Sequence, residues 1–181
     1  MSELPHRNLE FKAEAASLEL LRTNLRALEA ECSGRLHQID TYFDVPKGRL
    51  KLREVEDYGG TLVYYERPDA AESRYSHYQL CDIANHTTFK QMMSDVLRVK
   101  VIVEKNRELW IYGNTRIHLD EVLNLGEFIE LETVIRDQSE AEAQTEHNYL
   151  KQKLHIAAAD LIPVSYSDLL LGRNLETGIV T

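Results

Sequence analysis

Apolar and polar residues alternate singly along most of the chain, and apolar spacings of three and four appear in only a few segments. Single alternation marks a strand with one face buried, because successive side chains point to opposite sides; spacings of three and four trace one face of a helix. Strands are therefore expected over 7–13, 37–43, 48–54, 60–67, 74–81, 98–112, 115–122 and 127–135. The intervening Pro46-Lys47-Gly48, Gly59-Gly60, Pro68-Asp69, Gly113-Asn114 and Asn124-Leu125-Gly126 read as turns. Leu18, Leu21, Leu25, Leu28 and Cys32 predict a helix between the first two strands, stopped at Ser33-Gly34, and Phe89, Met92, Met93 and Val96 predict a second. Both stripes are expected in the core. A third helix is expected over 139–155 and a short terminal one from Asp168 to Leu171. With no linker, repeat or low-complexity stretch, the expectation is one strand-dominated α+β domain over 1–181.

What alternates with the apolar residues is unusually charged. Residues i and i+2 of a strand share a face, so Asn8, Glu10 and Lys12 stand together opposite Leu9 and Phe11, and Arg49, Lys51 and Arg53 stand opposite Leu50 and Leu52. The division repeats for Arg74, Ser76 and Tyr78, for Lys105 and Arg107, for Arg116, His118 and Asp120, and for Glu130 and Glu132. An open antiparallel sheet with one wet face would produce such alternation. The charges are nevertheless segregated, with bases on the middle strands and acids on the first and last two. Eight strands can also close into a barrel wide enough for side chains or one small ligand, which places these residues in a polar interior.

Composition narrows the class. The chain has 181 residues, 43 % of them hydrophobic, with 30 acids against 21 bases and a net charge of −9. Such a chain builds its own core without disulfides, and its acidity argues against nucleic acid as a partner. Cys32 and Cys81 lack the spacing of a zinc or redox site and are expected in the core. Apolar runs stop at four residues, as in Leu109-Trp110-Ile111-Tyr112, and Met1-Ser2-Glu3-Leu4-Pro5-His6 is not a signal peptide, so no membrane is expected and the location reads as cytoplasmic. There is no Gly-rich phosphate loop and no paired-histidine zinc motif.

Bases enclosed together repel one another, and a highly anionic ligand relieves that cost. Arginine forks and lysine point charges in one lining suit polyphosphate, and the carboxylates are hard oxygen donors of the kind that hold Mg²⁺ or Mn²⁺. At these residues the chain resembles the CYTH family, the triphosphate tunnel metalloenzymes. Asn8-Leu9-Glu10-Phe11-Lys12 resembles the family's opening E-x-E-x-K signature, Gln38 to Phe43 its second strand, and Gly48 to Glu54 its basic strand. Glu104-Lys105-Asn106-Arg107 is similar to its K-x-R strand, and Arg116 to Asp120 followed by Leu125 to Glu132 to its closing hairpin with the E-x-E pair.

The resemblance implies an eight-stranded antiparallel closed barrel with helices outside. It implies Glu10, Asp120, Glu130 and Glu132 as ligands of Mg²⁺ or Mn²⁺, and Lys12, Lys51, Arg53, Arg74, Lys105, Arg107 and Arg116 around the phosphates, with Lys12 also catalytic. The implied activity is that of a class IV adenylate cyclase or a triphosphatase, acting on ATP, thiamine triphosphate or inorganic triphosphate. Two positions depart from the pattern: Asn8 replaces the signature's first glutamate, and Glu66 stands where the family offers a lysine. A binding module without turnover, or an unrelated ligand-binding barrel, are the competing readings; monomer or homodimer is left open. His118 reads as a tunnel-wall residue and Tyr166 as core or tunnel mouth.

Overall fold

The computed structural model describes residues 6–66, 73–135 and 138–177. Eight antiparallel strands form a closed barrel: β1 (His6–Glu14), β2 (Glu31–Phe43), β3 (Arg49–Val55), β4 (Gly59–Glu66), β5 (Arg74–Ile83), β6 (Val99–Tyr112), β7 (Thr115–Val122) and β8 (Gly126–Val134). Their order around the wall is β1-β5-β4-β3-β2-β6-β7-β8, and β1 closes it by pairing with β5 on one side and β8 on the other. The helices are α1 (Leu18–Ala27), α2 (His86–Val96), α3 (Glu140–Lys153) and α4 (Tyr166–Thr177). The expected Pro68-Asp69 turn, the end of the fourth strand at Arg67 and the segment Met1 to Pro5 lie outside the described residues.

Strand parity places the hydrophobic core outside the barrel. Phe11 and Ala13 of β1, Trp110 of β6, Ile117 and Leu119 of β7, and Ile129 and Leu131 of β8 point outward and are buried under Leu18, Leu21 and Leu25 of α1, Leu150 of α3 and Leu154 at the C-terminal end of α3. A second cluster fills one end of the barrel. There Tyr42, Val101, Val103, Val122 and Phe128 point inward and pack against Ile162, Tyr166 and Leu170, so α4 closes that end.

Four local expectations need correction. Cys32 is not the last turn of α1: the helix ends at Ala27, Glu29 turns the chain at φ 58°, and Cys32 belongs to β2, opposite Trp110. The long β6 supplies backbone partners along this stretch, and that ladder outweighs one further helical turn. Cys32 and Cys81 are exposed, not core. The Met92 and Val96 stripe of α2 is likewise exposed, at 61 % and 79 %. That helix is anchored through Glu54, which accepts from Lys90 at 2.6 Å and lies 3.3 Å from His86, while Phe89 and Met93 of the same stripe are half-buried. Gly60 admits this docking, since a Cβ there would lie 2.3 Å from His86 Cβ. Finally, α4 runs for 12 residues because Ser165 and Asp168 cap it reciprocally: Ser165 Oγ accepts from the Asp168 amide at 3.2 Å, and Asp168 Oδ2 from the Ser165 amide at 3.1 Å.

The packing makes a direct prediction. Leu25→Ala should cost about 2–5 kcal/mol by opening a cavity beneath α1, whereas Leu20→Ala, on the exposed side of the same helix, should stay within about 0.5 kcal/mol. Urea unfolding of the two variants against the parent checks both values.

Candidate functional site

Inside the barrel lies a cavity of about 280 Å³ lined by the charged residues of β1, β3, β6, β7 and β8. That is the low end of small-molecule sites, which run to about 300–1,000 Å³, and suits a slender ligand better than a bulky one. Lys12, Lys51, Arg53, Lys105, Arg107 and Arg116 reach it, as do Glu10, Glu130 and Glu132. Arg74 begins β5 directly opposite Glu10, but its side chain lies outside the described residues. Glu66 stays out of the cavity: β4 turns Val63 and Tyr65 inward, while Glu66 accepts from Tyr64 Oη at 2.6 Å and pairs with Lys47 at 3.0 Å on the outer face.

Two buried carboxylates organise the bases. Asp40 of β2, fully inaccessible, accepts from Lys51 Nζ at 2.7 Å, from Arg53 Nε and Nη2 at 2.8 and 3.0 Å, and from Lys105 Nζ at 3.3 Å. Burial alone would push its carboxyl up; Arg53, Lys105 and Lys51 together outweigh that and hold it well below the usual carboxylate range. Asp120 of β7 takes Arg107 bidentately, with both bonds at 2.6 Å, and accepts from Tyr166 Oη at 2.8 Å. Burial opposes its ionisation, yet Arg107 and Lys105 bring it down to about 2. Asp120 thus stands behind the bases with both oxygens engaged, away from the cavity lining in which its expected partners in metal binding lie. Lys105 is pushed down to about 7, by burial first, with Arg107 and Arg53 adding to it and Asp40 opposing.

The acidic wall is a patterned ladder. Across β1, β8 and β7 one row is Lys12, Glu130, His118, and the next is Glu10, Glu132, Arg116. Glu130 Oε1 accepts from Lys12 at 2.9 Å and Oε2 from Arg107 at 2.8 Å; Glu132 Oε2 accepts from Arg116 at 2.8 Å. Glu10 and Glu132 directly face each other, a cross-strand placement of like charges that is unfavourable by itself. His118 Nδ1 lies 3.6 Å from Glu130 and 3.8 Å from Glu132, and the ligand atoms of these three residues all lie within 4.8 Å of one another. Burial and Arg107 lower the His118 pKa. Asn8, in the orientation its neighbours dictate, accepts from Arg116 at 2.9 Å and donates to the Arg7 carbonyl at 3.2 Å.

Sequence reasoning passed over Asp40 and left Tyr166 between the core and the tunnel mouth. Asp40 shares inward parity with Gln38 and Tyr42, so an acid set among inward bases was the available signal. Tyr166 sits over Lys12, whose Nζ is 3.8 Å from its ring centroid, and bonds Asp120, links that only the closure by α4 creates. Arg49 serves that closure, donating to Asp168 of α4 at 3.0 Å.

Comparison with known proteins agrees with this geometry. The family model described as the CYTH domain matches residues 6–166. The PH1012 protein of Pyrococcus horikoshii OT3 superposes with a TM-score of 0.80 at 21 % identity, over 90 % of this chain and 98 % of its own. A proposed adenylate cyclase of Vibrio parahaemolyticus gives 0.73 at 20 % identity, over 93 % of this chain and 99 % of its own. HpAC1 of Hippeastrum, described as having a dominant triphosphatase activity, gives 0.60 at 12 % identity, over 97 % of each chain. At these identities the likeness is one of fold. No curated protein matches the chain by sequence.

The Lys105 environment predicts a pH effect whose sign is fixed by linkage. Its folded pKa of about 7 lies below the unfolded lysine value of about 10.4, so the unfolded chain binds the extra proton between those limits and stability rises with pH across that window. Urea unfolding from pH 7 to 9.5 should therefore show a steeper stabilisation in the parent than in Lys105→Met; parallel profiles would contradict it.

Proposed function

Because the chain belongs to the CYTH family, whose members include triphosphatases and adenylate cyclase-like enzymes, we propose that it is a metal-dependent enzyme cleaving the phosphate chain of an organic triphosphate held in the barrel. The observation that carries this reading is the division of one cavity into a basic arc on β3 and β6 and an acidic ladder on β1 and β8. Among the described side chains, six bases and five carboxylates nearly balance: Lys12, Lys51, Arg53, Lys105, Arg107 and Arg116 against Glu10, Asp40, Asp120, Glu130 and Glu132. A triphosphate entering alone would set its charge against the acids. A divalent cation entering with it restores neutrality, so metal and triphosphate should bind with positive coupling.

Glu130 and Glu132, with Glu10 beside them, are the residues that would hold Mg²⁺ or Mn²⁺. Their donor set fits a hard cation, and the Glu10–Glu132 juxtaposition favours one. Such an ion supplies charge stabilisation to phosphoryl oxygens. The remaining chemistry is positioning, as phosphoryl transfer requires. Arg53, Lys51 and Lys105, fixed by Asp40, grip the polyphosphate from one side; Arg107, fixed by Asp120, and Arg116 meet it from the other. Lys12, between Glu130 and the Tyr166 ring, is placed to donate to a phosphoryl oxygen as charge develops there. The attacking oxygen is water in a hydrolase or the substrate's own ribose hydroxyl in a cyclase, and no protein nucleophile is needed. Asn8 supports a second reading as a binding module, since its amide is engaged by Arg116 where the family signature has a glutamate.

Screening ATP, thiamine triphosphate and inorganic triphosphate with Mg²⁺ and with Mn²⁺, with products followed by phosphorus NMR, tests the proposal. Turnover of at least one is expected, with Glu130→Gln lowering it by at least about 100-fold while circular dichroism shows the variant folded, at a lower melting temperature because Lys12 and Arg107 lose a buried counter-ion; activity within threefold of the parent would remove the metal role. Binding without turnover would favour the second reading. Arg53→Ala, which leaves Asp40 paired with two lysines, should weaken tripolyphosphate binding by about 1.5–3 kcal/mol and monophosphate binding far less, by calorimetry.

A further inference from the structure

Among the described residues of the acidic wall, Arg116 Nε and His118 Nδ1 are buried without a hydrogen-bond partner, and Arg116 is still held by Glu132 through its Nη2. The His118 side chain is only 7 % exposed, and Nδ1 has no hydrogen-bond partner. At 3.6 and 3.8 Å from the Glu130 and Glu132 oxygens it stands beyond hydrogen-bond range. An orphaned buried nitrogen costs free energy, so its position calls for an explanation. Strand register aims it: His118 is directly opposite Glu130, one row from the Glu132–Arg116 pair, with Leu109 behind it across β6.

Bonds of about 2.0–2.2 Å to one divalent ion set neighbouring ligand atoms roughly 3–3.5 Å apart. The His118 separations exceed that by a few tenths of an ångström, within side-chain adjustment. Meanwhile Asn8 directs its carbonyl oxygen to Arg116 and supplies no anionic donor. We propose that His118 is a metal ligand in this protein, joining Glu130 and Glu132 in a mixed imidazole–carboxylate site that favours Mn²⁺ and later transition ions over Mg²⁺. Imidazole is a borderline donor that suits first-row transition ions, whereas Mg²⁺ is served by oxygen and holds its water reluctantly. One nitrogen in place of one carboxylate therefore changes selectivity more than total charge suggests. The inference rests on the reading of the acidic ladder as a cation site, and adds the ligand and the ion it selects.

The test titrates Mn²⁺ and Mg²⁺ separately into the whole protein and reads bound Mn²⁺ by electron spin-echo spectroscopy, which reports coordinated nitrogen directly. Nitrogen modulation is expected in the parent and lost in His118→Phe. His118→Asn should lower Mn²⁺ affinity about tenfold or more and Mg²⁺ affinity by less than about threefold. Melting temperatures of both variants show that they remain folded. Bound Mn²⁺ without nitrogen modulation, equal losses for the two ions, or no Mn²⁺ binding at millimolar concentration would each overturn the assignment. Tripolyphosphate titrated in the presence of Mg²⁺ separates the two claims: if it binds while Mn²⁺ shows no nitrogen, the His118 ligand falls and the triphosphate site stands, and if it fails to bind, the functional reading falls by itself.

Discussion

Asp40 carries a constraint on which the interior depends. Lys51, Arg53 and Lys105 converge within a few ångströms inside a closed sheet, and each would otherwise face its neighbours' charge with little water to screen it. One carboxylate on β2 takes all three, drawing β3 and β6 toward the strand between them. Asp120 does the same for Arg107 and extends the network to Tyr166, hence to α4. Removing either acid would leave buried cations unpaired, which is among the most damaging single changes available to a fold. The bases are thus pre-positioned by internal anions, and their geometry does not wait for a ligand to arrive.

The fold accommodates this by turning the usual arrangement around. The barrel interior is charged, and the apolar layer lies between its outer wall and α1 and α3. Each strand then serves two masters in alternation: on β8, Ile129 and Leu131 seal the outer core while Glu130 and Glu132 face the cavity. A one-residue slip in register would exchange the two sets, so the chemistry of the site and the stability of the wall are enforced by the same pairing.

That coupling explains why so much was legible in the sequence. Period-two parity names the inward residues of β1, β3, β6, β7 and β8 before any coordinates, and closure of the barrel only brings them together. Parity is silent on which charge pairs with which. Asp120 shares a face with Arg116 and His118, yet its oxygens go to Arg107 on the neighbouring strand, a matter of cross-strand register that one strand cannot reveal. The placement of Cys32 and the full length of α4 were missed for a different reason. Local spacing favoured one more helical turn at Cys32, and the pairing offered by β6, remote in sequence, overrode it. The weak apolar pattern of α4 showed only Asp168 to Leu171 of a 12-residue helix that its Ser165–Asp168 cap and its fit into the barrel end sustain.

The closure of one end by α4 has a kinetic consequence. A barrel open at both ends lets products leave on either side, whereas a blind one makes the mouth both entrance and exit. On the proposed function, a triphosphate in such a cul-de-sac would go in phosphate-first, with its organic group toward Leu36, Leu80 and Leu109. Whatever was cut from the inner end would be trapped behind what remained. Departure would then be ordered, organic product first and phosphate or pyrophosphate last, so the inner anion would act as a product inhibitor competing directly with incoming substrate.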